Sequence, residues 1–280
     1  MTLLMGGVAY DPKVVTIWDG FRHWLRAQGL DFDYVLYSHY ERQVEDLVAG
    51  HIHAAWNSPL AWVRSERLAA TKGRHVESAI MRDTDQDLTS VVVVRADSAA
   101  SSLADLAGAT VAVGAVDSPQ STLIPLSFLR GSGVTDLRVR RFDVGVGLHG
   151  DHVGGERDAA RALVAGEVDA ACMIDGNHLL FGQEGTLPAG STRLLAQTPV
   201  YDHCTMAIVD TAPAAEATEF VRLLASMSYA DPEVRPLLDL EGLKAWREAR
   251  TSGYAQLERA VEEVGFYDGA GTVTAYGYRP

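Results

Sequence analysis

Leu3-Leu4-Met5-Gly6-Gly7-Val8-Ala9, running into Tyr10-Asp11-Pro12, sets how the rest of the chain is read. The run is short and apolar, and the turn dipeptide Asp11-Pro12 closes it, which predicts a buried strand. Val14, Ile17, Trp18, Phe21, Trp24 and Leu25 then recur at helical spacing across 14–28, and Gly29 supplies a stop. Phe32 to Tyr37 alternates as a strand. Tyr40 to Ala49 reads as a helix closed by Gly50, and Ile52 to Trp56 as a third strand. The opening is therefore βαβαβ, an α/β arrangement.

Further along, Val91-Val92-Val93-Val94 suits a strand buried on both faces. The alternation restarts with a short helix over 101–106 capped by Ser101 or Ser102, a strand over 110–115 and a helix over 121–130 ended by Gly131. It continues through a strand at 137–142, a glycine-rich loop at 145–155, a helix at 156–165 and a strand at 168–174. After Pro199 the pattern predicts a strand at 205–209 and helices at 214–226, 241–253 and 254–264. Boundaries near residues 90 and 204 place 1–89 and 205–280 in one lobe and 90–204 in the other. Two crossings between lobes imply a hinged cleft.

At 280 residues the chain is long enough for one large or two medium domains. Its 24 basic and 37 acidic side chains set a formal charge of −13, with no basic block to neutralise a phosphate backbone, so nucleic acid is not an expected partner. A local cleft can still be positive on an acidic protein. Two cysteines, Cys172 and Cys204, make neither a disulfide framework nor a zinc module. The opening residues lack a basic stretch and are interrupted by Gly6 and Gly7, and no run is long enough to span a bilayer, so a cytoplasmic protein without membrane insertion is expected.

Several strings carry a resemblance: Gly7-Val8-Ala9-Tyr10-Asp11-Pro12, Tyr40 with Val44-Glu45-Asp46-Leu47-Val48-Ala49-Gly50, Ala55-Trp56-Asn57-Ser58-Pro59-Leu60-Ala61-Trp62-Val63, Ser102-Leu103-Ala104-Asp105-Leu106-Ala107-Gly108, and Asp117-Ser118-Pro119-Gln120-Ser121-Thr122. With the order of elements, they make the chain resemble the phosphate/phosphite/phosphonate-binding (PhnD-like) branch of the type 2 periplasmic-binding-protein family. The resemblance implies two lobes of mixed sheets flanked by helices, closing on a small anionic molecule. It also implies a histidine near the position of His152 in the ligand cradle.

The residues offer parts for that task. Ser118, Ser121 and Thr122 sit where a helix begins, and its free N–H groups favour an anion; one of them can equally be only the N-cap. Tyr10, Tyr40, Asn57 and Ser58 lie at strand ends, where open α/β sheets bind ligands, and Ser90 joins this set. Tyr10 and Tyr40 can instead be packing residues. His51 and His53, two apart, can share one side and chelate a metal, or belong to a turn.

An enzyme on the same scaffold is the alternative. Pyrimidine synthases of thiamine formation and menaquinone-pathway lyases share the resembling fold, and here Asp175, His178, His203 and Cys204 would do acid/base or nucleophilic work. Alternatively His152, His178, His203 and Cys204 would ligate zinc or iron, with His149 and Asp151 close by in sequence. Cys204 can also be a plain buried thiol, as Cys172 is expected to be.

Overall fold

The computed structural model describes residues 1–143, 145–146, 149–150 and 152–278, the two short pairs by backbone alone. The first sheet collects β1 (Leu3–Val8), β2 (Phe32–Tyr37), β3 (Ala54–Asn57) and β4 (Val76–Arg82). The second begins with β5 (Ser90–Arg95), β6 (Thr110–Val113) and β7 (Arg138–Arg141). A small hairpin follows, β8 (Gly145–Val146) with β9 (His149–Gly150). Next come β10 (Ala170–Ile174) and β11 (Thr192–Gln197), then β12 (Thr205–Val209) and β13 (Trp246–Glu248).

The first sheet runs β13-β4-β12-β3-β1-β2 and the second β11-β5-β10-β6-β7. Both are mixed: β1 lies parallel to β2 and β3, while β12 is antiparallel to β3 and β4. In the second, β6 is parallel to β7 and β10, while β5 is antiparallel to β10 and β11. The four valines Val91 to Val94 alternate between two separate apolar clusters, one on each face of β5, which is why that run carries no polar residue.

Helices α1 (Lys13–Ala27), α2 (Tyr40–Ala49) and α3 (Pro59–Thr71) flank the first sheet. The periodic residues of α1 bury Val14, Ile17, Trp18, Phe21 and Leu25 against Leu3, Met5 and Phe32. Helix α4 (Ile124–Gly131) follows a π-turn at Pro119–Leu123, and α5 (His152–Val164) and α6 (Asp175–Gln183) complete that lobe. Helices α7 (Ala214–Ser226), α8 (Arg235–Glu241) and α9 (Ala255–Val264) return to the first. No helix among the described residues is long and apolar enough to cross a membrane.

The chain passes from the first sheet to the second between β4 and β5, and back between β11 and β12. These two crossings are tied together. Leu88 and Tyr201 form an antiparallel bridge, the buried Asp202 carboxylate accepts the Asp87 N–H, and Arg250 reaches both acids.

The helix expected over 241–253 is instead a turn and a strand. Gly242 stops α8 with φ +80°, and Trp246 then enters β13, where it packs edge-on to Trp56 and Phe21. Helix α5 begins at His152 rather than Glu156, so part of the expected loop is its first turn. Strands β4 and β11 and helices α6 and α8 carry mixed patterns that sequence periodicity did not reveal.

Candidate functional site

A cavity of about 520 Å³ lies between the two sheets and is walled by both lobes. Its side chains form two clusters. One gathers Tyr10 from the turn after β1, Tyr40 at the start of α2, Trp56 on β3, Arg82 at the end of β4, and His203 with Cys204 ahead of β12. The other gathers Glu41 on α2, Asp117 before the π-turn, His152 on α5, and Tyr267 and Tyr278 from the segment after α9.

Arg82 organises the first cluster. Its Nε and Nη2 donate to Asp85 Oδ2 and Oδ1 at 2.5 and 2.9 Å, and its Nη1 donates to the Glu241 carbonyl at 2.8 Å. The guanidinium also lies 5.3 Å from the Trp56 ring centre. Burial acts to raise the Asp85 carboxyl, but Arg82 and His203 together hold it down at about 2. Burial pushes Glu241 up to about 7 against the pull of Arg82. It likewise lifts the Tyr10 phenol to about 12 and raises Tyr40 well above its ordinary value, so both remain O–H donors.

His203 Nδ1 lies 3.1 Å from Cys204 Sγ and 3.6 Å from Asp85 Oδ1. Burial, then Asp85, drives the Cys204 thiol well above its ordinary value, so it stays protonated. His203 Nε2 is buried and has no hydrogen-bond partner among the described residues. Asp85, His203 and Cys204 are close enough to surround an ion. Both Asp85 oxygens are already engaged by Arg82, however, and a guanidinium against the carboxylate opposes a divalent cation. The trio is a hydrogen-bonded cluster built around Arg82.

In the second cluster, His152 Nε2 lies 3.2 Å from Asp117 Oδ1. Behind them Glu156 is buried, its Oε2 accepting from the Ile174 N–H and from Asn177. Burial pushes its carboxyl up to about 7 from an ordinary value near 4.5. The folded state therefore favours the protonated acid. This contribution is present in full below pH 4.5 and is lost as pH rises towards 7. Glu156→Gln is expected to raise stability at pH 8 by about 2 kcal/mol and to leave pH 4 nearly unchanged. Urea unfolding at the two pH values checks this.

Gly155 fixes how close α5 comes to the end of β7. A Cβ there would meet the Phe142 carbonyl oxygen at 2.5 Å. Gly155→Ala must push the first turn of α5 outward, carrying His152 with it, and is expected to cost about 1–3 kcal/mol. Thermal unfolding measures the loss.

Of the residues singled out from sequence, Tyr10, Tyr40, Ser58, His152, His203 and Cys204 line the cavity. Ser58 is the N-cap of α3, its Oγ accepting from the Ala61 N–H. The others do not line it. Asn57 is fully buried, bonded to Gln43 and to Ser65. Ser90 Oγ donates to the Gln120 carbonyl and pairs with the Tyr201 hydroxyl. Ser118 and Ser121 bond each other at 2.7 Å, and Ser118 Oγ caps Ser121, so the capping role accounts for them. Thr122 is buried, and its Oγ1 has no hydrogen-bond partner among the described residues.

Asp175 accepts from Thr89 and from the Gly176 N–H at the start of α6, and His178 sits on that helix away from the cavity. The proposed acid/base and metal sets are therefore not brought together. His53 Nδ1 accepts the Leu4 N–H while His51 turns out towards Asp46, so this pair does not converge either. Asp151 and the His149 side chain lie outside the described residues. Cys172 is core and, like Cys204, is free.

Sequence reading missed Lys13, Glu41, Arg82, Asp117, Tyr267 and Tyr278. Arg82 and Glu41 are visible only as charges on amphipathic elements, and the two tyrosines depend on a long-range return of the chain.

Residues 8–254 match the family described as ABC transporter, phosphonate, periplasmic substrate-binding protein. No curated protein matches the chain. Among solved structures it is similar to PhnD1 of Prochlorococcus marinus in complex with methylphosphonate, with TM-score 0.67 and 18% identity over 95% of this chain and 99% of that one. XAC2383 of Xanthomonas citri, bound to chloride in one structure, gives TM-score 0.69 at 16% identity over 94% and 99%. The aliphatic sulphonate binding protein SsuA of Escherichia coli gives 0.60 at 17% over 94% and 92%. At these identities the likeness is one of fold.

Proposed function

The chain belongs to the periplasmic substrate-binding proteins of phosphonate ABC transporters, and from that premise we propose that it closes its two lobes on a small oxyanion of phosphate, phosphonate or carboxylate type. The observation that carries this reading is Arg82 at the cavity wall. Its guanidinium is locked by Asp85 and by the Glu241 carbonyl, and the phenols of Tyr10 and Tyr40, both O–H donors, stand in the same cluster. A pre-organised cation with neutral O–H donors around it suits an oxyanion, because charge-assisted hydrogen bonds form without reordering the site. Lys13, also on the cavity wall, adds a second positive charge.

The anion docks at Arg82 rather than at the start of α4, whose serines are bonded to one another. Calorimetric titration of phosphate, methylphosphonate and acetate tests the reading. Saturable heat with at least one of them is expected, and silence with all three, together with no thermal shift, would overturn it.

A further inference from the structure

Gly265, at φ +60°, ends α9, and the chain then turns back along the cavity wall. Phe266 and Tyr267 are buried at the root of this return, whereas of residues 268–278 only Gly271 is buried. All of them lie beyond residues 8–254, the part that matches the family. The Asp268 carboxylate accepts the N–H groups of Ala270 and Thr272, and the Thr274 N–H bonds the Phe266 carbonyl, so the segment is a folded loop.

The hydrogen bonds that fasten it run to the first lobe. From α3, Arg67 Nη1 donates to the Tyr267 carbonyl at 3.1 Å and Arg64 Nε to the Gly271 carbonyl at 2.8 Å. The Tyr278 hydroxyl donates to Glu41 on α2 at 2.8 Å. A Cβ at Gly271 would come within 3.2 Å of the Arg64 carbonyl oxygen, so the loop lies directly on α3. Its side towards the second lobe is different. There Phe266, Ala275 and Tyr276 face Val116, Leu123 and Leu126 across a cavity of about 190 Å³, and atoms that line a void lose their dispersion partners on one side. The loop is held at a few points and packed loosely between them, which is how segments that open locally at low cost are built.

We propose that residues 268–278 are a strap that swings off α3 while both lobes stay folded, opening a side entrance that controls how fast small molecules enter the cavity. Lifting the strap breaks the Tyr278–Glu41 bond and takes Tyr278 out of the cavity wall. Tyr267 stays behind, because its ring packs edge-on to the buried Phe266 with centroids 4.9 Å apart. The motion is separate from the hinged closure of the lobes and does not depend on which ligand the cavity takes.

Two thiols make the test independent of any ligand. Cys204 lines the cavity and is 9% exposed, whereas Cys172 is 0% exposed inside the second sheet and reports global unfolding. Methyl methanethiosulfonate converts a thiolate to its methyl disulfide with release of methanesulfinate, and peptide mass spectrometry reads each cysteine separately. In a variant ending at Tyr267, Cys204 is expected to be labelled about tenfold faster or more than in the parent, with the rate at Cys172 unchanged. Tyr278→Phe, which removes only one fastening, should speed Cys204 severalfold.

Equal Cys204 rates in the parent and in a folded truncated protein would overturn the proposal. So would an equal acceleration of both thiols, which would report a loosening of the lobes themselves. Where truncation prevents folding, amide exchange on the unsubstituted protein decides. The Thr274 N–H should exchange about a hundredfold faster or more than the slowest amides of β1, and equal protection would overturn the strap. Neither readout involves an anion, so the outcome is separate from that of the titrations above.

Discussion

Arg82→Met should lower the free energy of unfolding by about 3–5 kcal/mol, because it strands a buried carboxylate rather than merely deleting a contact. Asp85 is 2% exposed, and two of its hydrogen bonds come from Arg82. Without the guanidinium, Asp85 keeps the Cys204 N–H at 3.3 Å and the neighbourhood of His203, neither of which neutralises it as a fixed cation does. The carboxyl, now held at about 2 chiefly by Arg82, would rise, and the variant would become more stable on acidification over the range where the parent is insensitive. Adding Asp85→Asn should restore part of the loss, since the amide no longer carries a charge into the interior. Urea melts of the single and double variants measure this, and a loss below about 1 kcal/mol for Arg82→Met would show that solvent reaches Asp85 easily.

The second large effect is expected at the crossings between the sheets. The Asp202 carboxylate is 0% exposed and is held by Arg250 through Nε at 2.6 Å and Nη2 at 2.7 Å. Arg250 also bonds Asp87 at 2.6 Å, and Asp87 is held at φ +58°, a left-handed conformation that non-glycine residues adopt rarely. Arg250→Met would leave Asp202 with the Asp87 N–H as its remaining side-chain bond. Because the arginine is 41% exposed, water replaces part of what is lost, so the expected cost is about 2–3 kcal/mol. Amide exchange should show the effect concentrated at Leu88 and Tyr201, whose bridge joins the two crossings. Protection there equal to the parent's would contradict this account.

Much of the architecture was written in local pattern. The βαβαβ opening and the helix over 214–226 were legible because their apolar residues repeat with one period, and the four-valine strand because an unbroken β-branched run suits burial on both faces. The helix expected at 241–253 failed because periodicity cannot see a glycine commit to a left-handed stop, nor a tryptophan wanted by Trp56 and Phe21 across the sheet. The same limit applies to the site. Tyr10, Tyr40 and His152 lie at element ends, where local reading finds them. Serines at a helix start look alike whether they hold a ligand or each other, and Ser118 with Ser121 does the latter. Arg82 and Glu41 became legible only once burial distinguished them from the charges on the surface.

The return of the chain after α9 has a practical consequence. Tyr278 donates to Glu41 and helps to wall the chamber, so a bulky label attached to that tyrosine would break the bond and press on the chamber wall. A fluorescent reporter is better attached on α7, where the side chains of Glu219 and Arg222 are 39% and 59% exposed and neither lines the chamber.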